Sequence, residues 1–243
     1  MRKIGILIIL LAIISFWSCD KNDTPEPTGT EGELSGTVKL FDEGTQELSN
    51  DSMVVSIYGS NPLISDTTDI NGNYSFSKLK YGTYTLTFTK PNYGIYLLNN
   101  VYHNQEHTKV PQSPSLGQRS STHISAISSK DTLGSIFIFI NTNPEGTNTA
   151  PKYFRVFFHT NDMVSYSDFT AYSKVLTAKK NPIEYRLNPH VLEDMGFISG
   201  QEVWYKVYGE SYYSNAHIEP LKGKHIFPNL NLISAAANSF IVP

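Results

Sequence analysis

Asp69, Asn71, Gly72 and Asn73, in the stretch DTTDINGNYSF, carry oxygen donors at the spacing of a calcium loop. With Gly72 in the sixth place of such a loop, Thr67 takes the first and Lys78 the twelfth, where a hard cation needs carboxylates. The same residues are strong turn chemistry: Asn-Gly accepts positive φ, and Asp69 can bond the amides that follow it, so a hairpin turn is expected instead of an ion site. His103, Glu106 and His107 in VYHNQEH form a second constellation. A helix would align both imidazoles, but the order is not H-E-x-x-H and the segment is short and polar, which predicts a surface loop. His159 falls in a strand, and His190, His217 and His225 fall in loops. Glu193 and Asp194 read as solvated charges. The chain has no G-x-S-x-G elbow and no glycine-rich phosphate loop opening a helix, so no cofactor, no metal and no enzyme are expected.

Binding chemistry is better represented. The stretch GESYYSNAHIEP places Tyr212, Tyr213, Asn215 and His217 after a strand that holds Trp204. Sugar rings stack on flat aromatic faces while Asn and His bond hydroxyls, so these five residues are the candidate ligand site. The competing expectation is that the rings pack into a core, because aromatics in sandwiches usually bury their large surface.

The elements that must hold such a site are strands. LSGTVKL, MVVSIYG, GNYSFSKL and GTYTLTFTK are short runs rich in Val, Ile, Thr, Tyr and Phe between turn residues. Tyr84, Leu86 and Phe88 alternate with Thr83, Thr85, Thr87 and Thr89, the period of half-buried antiparallel strands. HISAIS, LGSIFIFIN, PKYFRVFFHT, KVLTA, IEYRL, QEVWYKVYGES and NSFIVP continue the pattern, with one short helical turn at PHVLEDMGF. The expected fold is all-β: two tandem β-sandwich domains, residues 34–110 and 123–243, joined by a Pro/Ser-rich linker at 111–122.

Ahead of them, Arg2 and Lys3 precede an apolar run from Ile4 to Trp17, followed by Ser18 and Cys19. That is the anatomy of a signal peptide over residues 1–18, too short to span a bilayer comfortably. Cys19 is the single cysteine, which excludes an intramolecular disulfide. ISFWSC resembles a bacterial lipoprotein signal, and the resemblance implies that Cys19 becomes the acylated, palmitate-type first residue of the mature chain. Residues 19–33, polar and broken by Pro and Gly, read as a flexible spacer. Their acidic start resembles export signals of surface lipoproteins, implying an outer-membrane, cell-surface location. Cleavage removes Arg2 and Lys3, leaving 17 basic residues of the original 19 against 22 acidic ones, a formal charge of −5. A mildly acidic chain with no basic run excludes nucleic acid as a partner.

The succession Thr68-Asp69, Gly72, Tyr74-Ser75-Phe76 and Gly82-Thr83-Tyr84 resembles the carboxypeptidase regulatory-like domain, a transthyretin-like β-sandwich, over residues 34–110. The resemblance implies about seven strands and a structural or adhesive, non-catalytic role. Residues 123–243, through strand pattern and GQEVWYKVYGES, look like an immunoglobulin or fibronectin type III-like module lacking the Cys-Trp-Cys arrangement. The expected function is a surface lipoprotein, held to the membrane by its lipid, that binds a polysaccharide or an outer-membrane protein partner. The alternative is a structural or adhesive subunit that pairs through a sheet edge.

Overall fold

The computed structural model describes residues 30–243, so the signal segment, Cys19 and the spacer up to residue 29 lie outside the described residues. The first half contains β1 (Glu31–Thr37), β2 (Lys39–Phe41), β3 (Val54–Ile57), β4 (Ser65–Thr67), β5 (Asn73–Lys80), β6 (Gly82–Thr89), β7 (Tyr96–His103), β8 (His107–Lys109) and β9 (Ser115–Gly117). The second half contains β10 (His123–Thr132), β11 (Ser135–Asn143), β12 (Lys152–His159), β13 (Ala171–Tyr172), β14 (Leu176–Ala178), β15 (Ile183–Leu187), α1 (Pro189–Asp194), β16 (Glu202–Glu210), β17 (His217–Ile218), β18 (His225–Ile226) and β19 (Asn238–Ile241). The described residues are all-β apart from one short helix.

In the first half a three-stranded sheet, β5-β1-β8, faces a four-stranded one, β4-β3-β6-β7. Period-2 alternation drives this packing: Tyr74 and Phe76 point inward from β5 and Leu86 and Phe88 from β6, meeting Leu34 and Val55 in one core. The turn at Asp69 forms as expected, with Oδ1 accepting from the Asn71 and Asn73 amides at 2.9 and 2.8 Å and Gly72 at φ +81°. It is not a hairpin. β4 pairs with β3 and β5 with β1, so the turn arches from one sheet to the other.

The expected surface loop at VYHNQEH is also corrected. His103 ends β7 and is fully buried, its ring nitrogens 2.7 Å from Thr108 Oγ1 and 3.1 Å from the Leu79 carbonyl. His107 opens β8, exposed and 3.5 Å from Glu33. The chain turns at residues 104–106 to lay β8 parallel to β1, so the two imidazoles never share a helix face.

In the second half β10-β11-β15 packs on a sheet ordered β13-β12-β16-β19, with β14 also paired to β12. Ile136, Ile138 and Ile140 of β11 meet Phe154, Val156 and Phe158 of β12 in a second core. α1 is started by Asn188, whose side chain accepts from the Val191 amide, and is anchored by buried Leu192. His190 lies in α1, His217 in β17 and His225 in β18, where loops were expected.

β12 carries the feature that positions the site. Its six inner residues, Tyr153 to Phe158, are all buried, so it is covered on both faces. Even positions face the core; Arg155 and Phe157 face outward, where the chain after β12 and the stretch around β18 roof them with Val164, Phe227 and Leu230.

Candidate functional site

The roof over β12 is an aromatic lattice built around Phe227. Its ring lies 5.1 Å from Phe157 and 4.9 Å from Tyr172, both edge-on, and 4.7 Å from the Arg155 guanidinium. Arg155 is buried; its Nη1 donates to the Ser173 carbonyl at 2.6 Å and its Nε to Glu210 at 3.3 Å. Glu210 is fully buried as well. Burial pushes its carboxyl up to about 7, and the Arg155 charge and the Ser211 amide offset only part of that rise.

Above this floor opens a cavity of about 500 Å³. Phe227, Leu230 and Leu232 form its apolar wall; Tyr166, His225, Lys224 and Arg119 stand around it. Tyr166 is 38 % exposed and meets Tyr208 edge-on at 5.8 Å. The His225 ring lies nearly parallel to Phe227, and its Nδ1 is 3.3 Å from the Tyr172 hydroxyl. Ser167 also lines the cavity, with its Oγ 3.3 Å from the Ser165 hydroxyl. No carboxylate lines this cavity, and no group of three or more His, Cys, Asp or Glu side chains suited to a metal occurs among the described residues. The arrangement suits holding a ligand: a fixed ring, apolar walls and donors at the mouth.

The residues expected to bind from sequence are placed differently. Trp204 lies on β16, half-buried against the same aromatic cluster beneath the cavity. It is six residues before Glu210, about 20 Å along an extended strand, and so does not join Tyr212 and Tyr213. Tyr213 stacks on Phe41 of β2 with centroids 4.1 Å apart. Tyr212, 48 % exposed, leans on Tyr213 and Tyr153. His217 is half-buried, with Nδ1 3.0 Å from the Asn215 carbonyl and its ring edge-on to Tyr96; burial holds its imidazole below the usual histidine range.

Asn215 is buried and its amide is engaged inside the protein. Its Nδ2 donates to the carbonyls of Gly94 at 3.1 Å and Gly117 at 3.0 Å, and its Oδ1 accepts from the Gly117 amide at 2.9 Å. Asn229, fully buried beside it, accepts from the Gly94 amide at 2.9 Å and donates to the Gly117 and Tyr213 carbonyls at 2.9 Å each. These two amides join the halves of the molecule. The approach is close enough to demand glycine: a Cβ on Gly94 would sit 2.6 Å from the Pro228 carbonyl oxygen, and one on Gly117 would sit 2.5 Å from that of Tyr213.

The stretch 111–122, read from sequence as a linker, belongs to this seam. β9 pairs in parallel with β2, Leu116 enters the first core, and the Ser120 amide donates to the Asn229 carbonyl at 2.9 Å. Glu43 completes it, accepting from the Ser121 amide at 2.7 Å and from Lys152 at 3.0 Å. Burial alone would raise its carboxyl; the Ser121 and Lys152 bonds together outweigh that and hold it below the usual range.

Arg119, Tyr166, Lys224, His225 and Phe227 escaped sequence reasoning because they come from three separate stretches without periodicity. One signal was available: between β16 and β19 the chain runs for 27 residues with only two two-residue strands, and long irregular segments in compact domains are commonly binding loops.

No family model matches this chain, and no curated protein does. Solved structures similar to it include a provisionally named carbohydrate binding protein from Bacteroides uniformis, at 12 % identity over 88 % of this chain and 100 % of that one, with a TM-score of 0.30. A DUF3823 family protein from Parabacteroides merdae aligns at 14 % identity over 79 % of this chain and 94 % of its own, with a TM-score of 0.29. The major pilin SpaD from Corynebacterium diphtheriae aligns at 12 % identity over 86 % and 64 %, with a TM-score of 0.26.

Proposed function

We propose that this chain is a non-enzymatic binding module that takes a saccharide into the cavity above Phe227. The observation that carries the reading is that cavity itself, about 500 Å³ with one ring fixed by the lattice beneath it and polar groups from separate segments at its mouth. Its size falls within the range of about 300–1,000 Å³ usual for small-ligand sites. The Tyr166 ring, 38 % exposed, suits the apolar face of a sugar, Phe227 backs the cavity as a buried wall, and Ser167 and His225 can bond the sugar's hydroxyls. Tyr212 and Tyr213 form a second, smaller aromatic surface at the seam.

Around this site we place the rest of the reading. Residues 34–110 form a carboxypeptidase regulatory-like sandwich and residues 123–243 an immunoglobulin or fibronectin type III-like one, a reading supported by two facing sheets in each half. Cys19 carries the lipid that holds the protein to the outer membrane at the cell surface, supported by the signal anatomy before it. The adhesive alternative through a sheet edge keeps the ten-residue β10, an edge of its sheet, but two edges of the first half are blunted. On β5 the Ser75 amide already donates to Asp66 and Lys78 turns the strand with φ +54°; on β7 Asn99 holds the Ile218 carbonyl.

The test is binding of the purified protein to a panel of polysaccharides, with Tyr166→Ala and the double variant Tyr212→Ala/Tyr213→Ala beside it. Binding lost in the first and kept in the second is expected. The reverse would move the site to the seam, and binding of no glycan would remove the reading. For the anchor, Cys19→Ala should release the protein from membranes, and continued retention would count against acylation.

A further inference from the structure

Arg119 and Lys224 reach one cavity from opposite halves of the sequence. The Arg119 backbone is pinned by its amide donating to the Asn92 carbonyl at 2.8 Å, and Lys224 directly precedes β18 in the turn after β17, where its carbonyl accepts from the Glu219 amide. Both line the cavity together with His225, and no Asp or Glu lines it. The chain as a whole is acidic, with 22 acidic residues against 19 basic ones. Of the described lysines and arginines, Lys39 pairs with Glu47, Lys90 with Asp51, Lys152 with Glu43 and Arg155 with Glu210, and the rest make no ion pair. Neither Arg119 nor Lys224 makes an ion pair among the described residues.

We infer that the ligand of this cavity is an acidic saccharide, a sugar that carries a carboxylate or sulfate group, with its ring against Tyr166 and its negative charge between Arg119 and Lys224. The inference rests on the saccharide reading of the site and specifies its chemistry. Arg119 supplies a planar fork that matches two oxygens of one anionic group, and Lys224 adds a compact charge from the other side. The apolar wall excludes water on the inner side, which raises the worth of these charges above that of an open surface. A neutral sugar would fit the wall equally well and would leave both cations without a partner.

The test titrates the detergent-solubilised full chain with oligogalacturonate, with a sulfated galactan oligomer and with the neutral galactan oligomer of the same length. Low salt of about 50 mM is compared with about 500 mM, which screens exposed charges within a few ångströms. An acidic oligomer is expected to bind about tenfold tighter than the neutral one at low salt, and the margin should shrink at high salt. Arg119→Gln and Lys224→Gln should each lower affinity for that acidic oligomer about three- to tenfold, a larger loss than for the neutral one, so that the margin between them narrows, while Tyr166→Ala weakens both alike. Equal, salt-independent binding of neutral and acidic oligomers would overturn the acidic preference and leave the saccharide site standing. Binding of no oligomer would overturn both.

Discussion

Two aromatic clusters flank the same stretch of polypeptide. At the seam, Phe41, Tyr213, Tyr212 and Tyr153 meet over the amides of Asn215 and Asn229. At the cavity, Phe157, Tyr172, Tyr166, His225 and Phe227 meet over the Arg155–Glu210 pair. Composition scarcely separates them; what differs is where the polar atoms are spent. The seam amides are consumed by the backbones of Gly94 and Gly117, which come from the other half of the molecule and from the connection. At the cavity only the floor is consumed, and the mouth keeps Arg119, Lys224 and one face of His225 toward solvent. A buried amide with four partners is architecture, whereas donors around an open cavity remain available to a ligand.

This contrast can be broken from either side. The largest effect is expected at the floor, where Arg155→Met leaves Glu210 buried without its cation and with only the Ser211 amide, and should cost about 3–5 kcal/mol of unfolding free energy in denaturant titration. Loss of the seam amide in Asn229→Ala strands the Gly94 amide and the Tyr213 carbonyl and leaves the Gly117 carbonyl to Asn215 alone, and about 3 kcal/mol is expected in the same titration. A value below about 1 kcal/mol would show that water replaces the amide and that the seam is loose.

A smaller, more selective change is Tyr166→Ala, expected to weaken glycan affinity about tenfold while the unfolding midpoint stays in place. Tyr213→Ala should do the opposite, lowering the midpoint through the lost Phe41 stack.

The smallest effects are in pH, and they carry opposite signs. Glu43 has a lowered pKa, so its stabilisation of the seam is present above its unfolded value of 4.5 and is lost as pH falls through the lowered value. Glu43→Gln should therefore cost under about 1 kcal/mol at neutral pH, and its curve should converge with the parent's in acid. Glu210 is raised from 4.5 to about 7, so the native state holds a proton that the unfolded chain releases in that window. Its contribution to stability falls as pH rises through the window, and Glu210→Gln should flatten that part of the profile. Parallel pH profiles for the two variants would erase the distinction between seam and floor.

Much of the fold was legible in the residues. Each strand run quoted from the second half forms a strand, and the turn at Asp69–Asn73 forms with the bonds its side chain predicts. Pairing was not legible, which is why that turn joins two sheets where a hairpin was expected: local turn chemistry is the same for an arch and a hairpin, and only distant partners choose between them. His103 shows the same limit. Its neighbours in sequence are polar, yet Thr108 and Leu79 enclose it. Asn215 read as a sugar-binding amide because nothing within its own segment shows that Gly94, 121 residues away, occupies it.

What the sequence determines by itself here is periodic or adjacent: the alternation that makes strands, the glycine and asparagine that turn them, and the apolar run ahead of Cys19. These signals are local because they depend on backbone geometry within a few residues. Tertiary structure alone decided which polar side chains became joints and which stayed open as a site. That choice is set by contacts among Arg119, Tyr166 and the 224–232 stretch, which lie far apart in the chain, and a side chain's burial and partners are properties of that assembly rather than of its residue type.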